Sequence, residues 1–150
     1  MLPANLFPLT TKGLLLAVAF AVTSSPLRAG EGFQVIVNVS GGPAAISRRE
    51  LSTLFLGRRA AWPDGSRSLP VDQGESSRTR EAFSHTVHGR SAAAVRSYWL
   101  QILFAGRGVP PPERASDAEV LAYVRANPGA VGYVSQAGST QGVRVLAVEP

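Results

Sequence analysis

An apolar strand segment followed by a sharply capped helix is the feature that most constrains this chain. Residues 33–39, FQVIVNV, are β-branched and almost continuously apolar, which is typical of a buried strand. In the following ISRRELSTLFLG, Ser47 and Glu50 have the spacing of a capping box, and Gly57 ends the helical pattern. Because a strand buried on both faces needs helices to cover it, the pair predicts a layered α/β domain.

The rest of the chain continues this alternation. SLPVD is a short strand candidate, and Pro70 favours an edge position. DAEVLAYVRAN has a second capping box, from Ser116 to Glu119, and AVGYV and VRVLAV are further strands. The order β-α-β-α-α-α-β-β predicts one compact domain with a mixed, partly parallel sheet flanked by helices. The longest helical pattern, SAAAVRSYWLQILFAG, places one apolar stripe toward the core: Val95, Tyr98, Trp99, Ile102 and Leu103.

The N-terminal segment has the pattern of a secretory signal. Lys12 precedes an apolar run over residues 13–22, and small and polar residues follow it. This run is shorter than the roughly 20 residues that a membrane span needs. We therefore predict a signal peptide at 1–29 and a domain at 30–150, located in the periplasm or secreted. The alternative, an uncleaved membrane anchor, also places the domain outside the cytoplasm.

Composition excludes several kinds of chemistry. The chain has no cysteine, so it has no disulfide, thiolate metal site or cysteine nucleophile. The net charge of +5 is mild, and removing residues 1–29 would lower it further, which does not favour nucleic-acid binding. No P-loop, dinucleotide fingerprint or catalytic constellation is present. The sequence predicts a protein that is not an enzyme and has no cofactor and no metal.

Three segments resemble one known family. ISRRELSTLFLGRRAAWPDG resembles the L-s-x-x-e-L-x-x-I-F-x-G-k-x-x-x-W segment of phosphate-type periplasmic substrate-binding proteins, the receptors of phosphate ABC transporters. SSRTREAF lies where that family has S-G-T-x-x-x-F, and NPGAVGYV resembles its p-G-a-I-G-Y-v strand entry. The match runs from about residue 33 to residue 148. It implies a truncated, type 2 periplasmic binding protein-like fold without the family's upstream Ser/Thr-rich loop.

The resemblance implies an anion site at the start of the helix in VDQGESSRTREAF. Its candidate ligands are Ser76, Ser77, Arg78 and Thr79, and Asp72 is a candidate acceptor for a protonated phosphate. A helix N-terminus offers free N–H groups and a partial positive charge to an oxyanion. The family's arginine four residues before the serine is replaced by glutamine at position 73. The alternative reading is a plain helix cap that binds nothing.

Two other sets of residues have weaker patterns. Glu81, His85 and His88 share one helical face, which fits a three-ligand metal site or, as we prefer, a solvated face. Arg58 and Arg59 follow a helix end, where they either meet an anion or complement the helix dipole.

The sequence therefore predicts a solute-binding module for phosphate or a related oxyanion, connected with ABC-type uptake or sensing. An ABC permease or another envelope protein is the expected partner, with no nucleic acid and no stable membrane span after signal removal. The alternative is an accessory protein that keeps the fold, binds no ligand and acts through protein contacts.

Overall fold

The computed structural model describes residues 32–150. The predicted signal peptide lies outside these residues. Between residues 32 and 150, none of the helices combines the length and the apolar character that crossing a membrane requires.

The described region contains short strands and helices in alternation. The strands are β1 (Phe33–Val37), β2 (Ala45–Ser47), β3 (Leu69–Pro70), β4 (Asp72–Gln73), β5 (Glu113–Arg114), β6 (Ala130–Ser135), β7 (Arg144–Val145) and β8 (Ala147–Glu149). The helices are α1 (Arg48–Phe55), α2 (Arg78–Phe83), α3 (Ala92–Phe104) and α4 (Asp117–Ala126), and a π-helical turn (Ser84–His88) continues α2.

The main sheet is mixed, as predicted. Its strand order is β3-β6-β1-β7; β6 and β7 run antiparallel to β1, whereas β3 runs parallel to β6. Two further pairs, β2 with β8 and β4 with β5, are parallel. The prediction of one continuous strand in VRVLAV is wrong, because β7 pairs with β1 while β8 pairs with β2.

Strand alternation places apolar side chains on both faces of this sheet. Val35, Val37 and Tyr133 face α1 and α2, where they meet Phe55 and Phe83. On the opposite face, three buried residues of the sheet pack against three of α4. The sheet residues are Ile36, Ala130 and Val134, and the α4 residues are Val120, Leu121 and Val124. Burial on both faces explains why β1 reads as a continuous apolar run.

Serine caps fix where the helices begin. The Ser47 side chain accepts a hydrogen bond from Glu50 N–H and Glu50 accepts one from Ser47 N–H, so the first predicted capping box is confirmed. At α4, Ser116 caps Glu119 N–H, but the Glu119 carboxylate accepts from Ala115 N–H, so only half of the predicted box forms.

The predicted apolar stripe of α3 is only partly buried. Val95 and Trp99 pack with Leu56, and Tyr98 and Ile102 are half-buried. The prediction is wrong for Leu103, whose exposed fraction is 45%. The last turn of α3 is exposed, with Phe104 at 86%.

The π-helical turn changes the direction of the side chains that follow α2. A π turn contains an additional residue, so residues beyond it leave the face predicted from α-helical spacing. His88 is half-buried, its Nδ1 lies 2.8 Å from Ser52 Oγ, and its ring meets Phe83 edge-on. The predicted solvated face therefore keeps Glu81 and His85 but loses His88.

Candidate functional site

The candidate site lies where β4 passes into α2. Asp72 and Gln73 form the strand, residues 74–76 turn, and Ser77 is the N-cap of α2. β4 pairs in parallel with β5. The strand-to-helix junction predicted from VDQGESSRTREAF is present.

Ser77 acts as a helix cap in this structure. Its Oγ accepts a hydrogen bond from Arg80 N–H at 3.2 Å and donates one to Gln73 Oε1 at 2.5 Å. The single hydroxyl proton is therefore used within the protein. Ser77 fixes the geometry of the helix start and has no free donor for an anion.

Gln73 occupies the position where the resemblance implies an arginine. It is buried, and its Nε2 donates to Asp117 Oδ1 at 2.8 Å and to the Tyr133 carbonyl at 3.0 Å. With its Oε1 bound to Ser77, both ends of the amide are used. Gln73 thus ties the helix start to β6 and α4 without adding charge.

Asp72 is also engaged within the protein. Its Oδ1 accepts hydrogen bonds from Tyr133 O–H and from Gln73 N–H, and its Oδ2 lies 3.5 Å from Arg80 Nη2. Burial raises the pKa of Asp72, against the opposing effects of Arg80 and of these hydrogen bonds. Burial, followed by the charge of Asp72, also raises the pKa of Tyr133, which keeps the phenol a donor. The Asp72 carboxylate orients Arg80.

Arg80 is the buried charge that local sequence patterns do not reveal. It is 3% exposed, and its Nη1 donates to the Gln73 carbonyl at 2.7 Å and to Glu113 Oε1 at 2.5 Å. Desolvation by itself would lower the pKa of Arg80, but Asp72 and Glu113 raise it, so the guanidinium stays charged. Glu113 is distant in sequence, so helix position alone could not identify this partner.

Three candidate residues keep free polar groups. Within residues 32–150, the side chains of Ser76, Arg78 and Thr79 make no hydrogen bond or ion pair, and neither do the backbone N–H groups of Arg78 and Thr79. Ser76 and Arg78 are exposed and Thr79 is half-buried. These groups are the part of the predicted anion site that remains available to a ligand.

The alternative reading of Glu81, His85 and His88 as a metal site does not fit the structure. His85 Nε2 lies 2.8 Å from Glu81 Oε1, while His88 turns inward to Ser52. In the part of the chain that the structure describes, no group of His, Cys, Asp and Glu residues is placed to hold a metal ion.

The residues after α1 have structural contacts. Trp62 is fully buried and its Nε1 donates to the Gly129 carbonyl at 3.2 Å. The Arg58 guanidinium lies over the Tyr98 ring, 5.6 Å from its centroid. Arg59 is exposed and, among the described residues, has no ion pair.

The fold is similar to part of solved phosphate ABC transporter substrate-binding proteins. The chain is similar to an ABC-type phosphate transport receptor from Vibrio cholerae, with 19% identity, a TM-score of 0.62, and coverage of 80% of this chain and 47% of that one. It is also similar to a putative phosphate ABC transporter substrate-binding protein with bound phosphate from Clostridium perfringens, with 18% identity, a TM-score of 0.64, and coverage of 80% and 46%.

A third similar structure is PstS from Borrelia burgdorferi, with 13% identity, a TM-score of 0.54, and coverage of 81% of this chain and 48% of that one. The chain thus spans about half the length of the receptors it matches. No protein-family model and no curated protein matches the chain. The predicted resemblance and fold class are confirmed, and the likeness at these identities is one of fold.

Proposed function

We propose that this protein is an oxyanion-binding module that holds phosphate, or an anion of similar shape, at the N-terminal edge of α2. The observation that carries this proposal is a set of donors there that have no partner within residues 32–150: the N–H groups of Arg78 and Thr79 and the side chains of Ser76, Arg78 and Thr79. N–H groups and hydroxyls that converge on one helix start are the donors that oxyanions accept from.

Each predicted ligand has its own part in this proposal. Ser76, Arg78 and Thr79 contact the anion, and Arg78 supplies the exposed charge. Ser77 positions the helix start, because its hydroxyl is bound to Gln73. Asp72 holds the buried Arg80 through its Oδ2, while its Oδ1 accepts hydrogen bonds from Tyr133 O–H and Gln73 N–H.

We place the module outside the cytoplasm, in connection with phosphate uptake or sensing. The signal-like segment at 1–29 and the receptor fold support this location. The chain spans about half of each receptor, and an ABC permease or another envelope protein is its proposed partner. The role is binding and not catalysis, as the names of the similar structures suggest.

Calorimetric titration of the protein with phosphate at low salt tests the proposal. We expect a saturable heat of binding. Thr79→Val and Arg78→Gln should each weaken the affinity for phosphate by about fivefold, the loss expected for one hydrogen bond of roughly 1 kcal/mol. Arg49→Gln is the matched control for charge, because Arg49 is an exposed arginine on α1. Absence of heat and of thermal stabilisation up to millimolar phosphate would refute the proposal.

A second candidate is an interaction protein that keeps the fold without a ligand. An exposed apolar surface at the end of α3 favours it: Phe104 is 86% exposed, Val109 73%, and Leu103 and Leu100 more than 40%. Surfaces of this kind are frequent at protein contacts. This alternative predicts that the protein recovers an envelope partner in a pull-down, that Phe104→Asp abolishes this recovery, and that Thr79→Val does not.

A further inference from the structure

A cavity separate from the anion site lies between α1, α3 and α4. Its volume is about 340 Å³, which falls within the range of small-molecule sites. Leu54, Trp99 and Tyr123 contribute its apolar wall, and the proline run 110–112 closes one side. None of the residues from 71 to 80 lines it.

Two buried polar atoms in the lining residues have no partner. Ser68 and Trp99 both line the cavity and each is only 6% exposed. Within residues 32–150, Ser68 Oγ and Trp99 Nε1 make no hydrogen bond. Buried donors are almost always satisfied, so these two atoms show that the hydrogen bonding of the lining residues is incomplete within the described region.

Two arginines give the cavity its charge. Arg59 and Arg67 line it, both are exposed, and neither forms an ion pair within the described region. Glu50, whose pKa is lowered by its hydrogen bonds to Ser47 and to a smaller extent by the charge of Arg59, has its carboxylate bound to Ser47. A guanidinium pair beside an apolar wall favours an anion that also carries an apolar body.

We propose that this cavity binds a small organic carboxylate with an aromatic or aliphatic body. Arg59 and Arg67 hold the carboxylate, because a planar guanidinium matches its two oxygens. The body packs against Trp99, Tyr123 and the prolines. An inorganic anion would leave this apolar wall in contact with water, so the site differs from the phosphate site in both place and preference.

The indole N–H resonances of the two tryptophans give a direct assay for this site. In ¹H–¹⁵N spectra of the full chain, 3-phenylpropanoate is expected to shift the Trp99 signal, assigned with Trp99→Phe. The Trp62 signal is the internal control, because its N–H is bonded to the Gly129 carbonyl. Acetate, which lacks the body, and 3-phenylpropanamide, which lacks the charge, should each bind at least about tenfold more weakly.

Surface variants separate this site from a non-specific apolar contact. Arg59→Gln and Arg67→Gln should each weaken 3-phenylpropanoate binding by roughly fivefold to tenfold, the loss expected for one charge-assisted contact. Arg49→Gln, which removes an equal charge from outside the cavity, should leave binding unchanged. Phosphate should not move the Trp99 signal, whichever way the phosphate calorimetry turns out.

An unmoved Trp99 signal at ~10 mM 3-phenylpropanoate would overturn the inference. So would equal binding of the amide and the carboxylate, or equal binding by Arg59→Gln, Arg67→Gln and Arg49→Gln. A shift of both tryptophan signals together would equally refute a local site.

Discussion

Protonation of His88 should oppose folding. Its Nδ1 lies 2.8 Å from Ser52 Oγ, and its ring packs against Phe83 and Phe55. Burial, with smaller contributions from the charges of Arg90 and Arg80, lowers the pKa of His88 from 6.5 to about 4. The ring is therefore neutral in the folded protein at neutral pH.

The direction of the pH effect follows from this lowered pKa. Between pH 6.5 and pH 4 the unfolded chain binds a proton at His88 that the folded chain does not. The contribution of neutral His88 to the free energy of unfolding is complete above pH 6.5 and is lost as the pH falls toward 4. One pKa unit corresponds to 1.36 kcal/mol, so the full effect is about 3 kcal/mol.

Urea unfolding of the protein and of His88→Asn across this pH range measures the effect. Asn retains polar atoms near the Nδ1 position but does not titrate, and carboxylates common to both proteins cancel in the difference. We subtract the free energy of unfolding of His88→Asn from that of the unchanged protein. This difference should fall by about 3 kcal/mol from neutral pH to about pH 4.

A histidine on the same turn controls for the substitution itself. His85 has a side chain that is 62% exposed, so His85→Asn removes a histidine without opening the packing around Phe83. A stability difference for His88→Asn that stays flat with pH, or an NMR titration of His88 with a midpoint near 6.5, would refute the reasoning.

Further substitutions test the site and the packing around it. Ser77→Ala should lower the free energy of unfolding by about 2 kcal/mol in urea denaturation, because it removes a helix cap and the bond to Gln73; an effect below ~0.5 kcal/mol would contradict this. Asp72→Asn should lower the free energy of unfolding by about 3 kcal/mol, since among the described residues it leaves the exposed Glu113 as the only acid paired with the buried Arg80; an unchanged urea midpoint would count against a structural role for the Asp72–Arg80 pair. Gly132→Ala should lower the melting temperature by several degrees, because overpacking would reduce the free energy of unfolding by about 2 kcal/mol. A Cβ at position 132 would lie 2.7 Å from the Val120 side chain and 2.8 Å from the Val71 side chain.

Local signals made much of the fold predictable. The cap at Ser47, the stop at Gly57 and the apolar run of β1 act within a few residues; the cap and the stop are found where the sequence places them, and the strand ends at Val37, two residues earlier than predicted. The resemblance to receptor motifs added the periplasmic binding protein-like fold. The division of VRVLAV between two sheets was not predictable, because it depends on pairing with strands at the other end of the chain.

The candidate site was predictable in position but not in its internal bonding. Ser77 is a strong cap by residue type, whereas its second bond to Gln73 arises only when β4 and α2 meet. The role of Arg80 depends on Glu113, which β5 brings next to β4. The inward turn of His88 follows from a π-helical turn, for which the sequence carries no simple pattern.

The position of β1 between β6 and β7 has a consequence for the order of folding. The N-terminal strand of the described region finds both of its partners in the last quarter of the chain, and β2 likewise pairs with β8. Domains built on such distant pairings fold on the scale of milliseconds to seconds. During synthesis, helices with strong caps can begin to form early, but the central sheet closes only after residues 130–145 become available. Until then β1 remains an unpaired apolar strand, the state in which this chain is most exposed to aggregation.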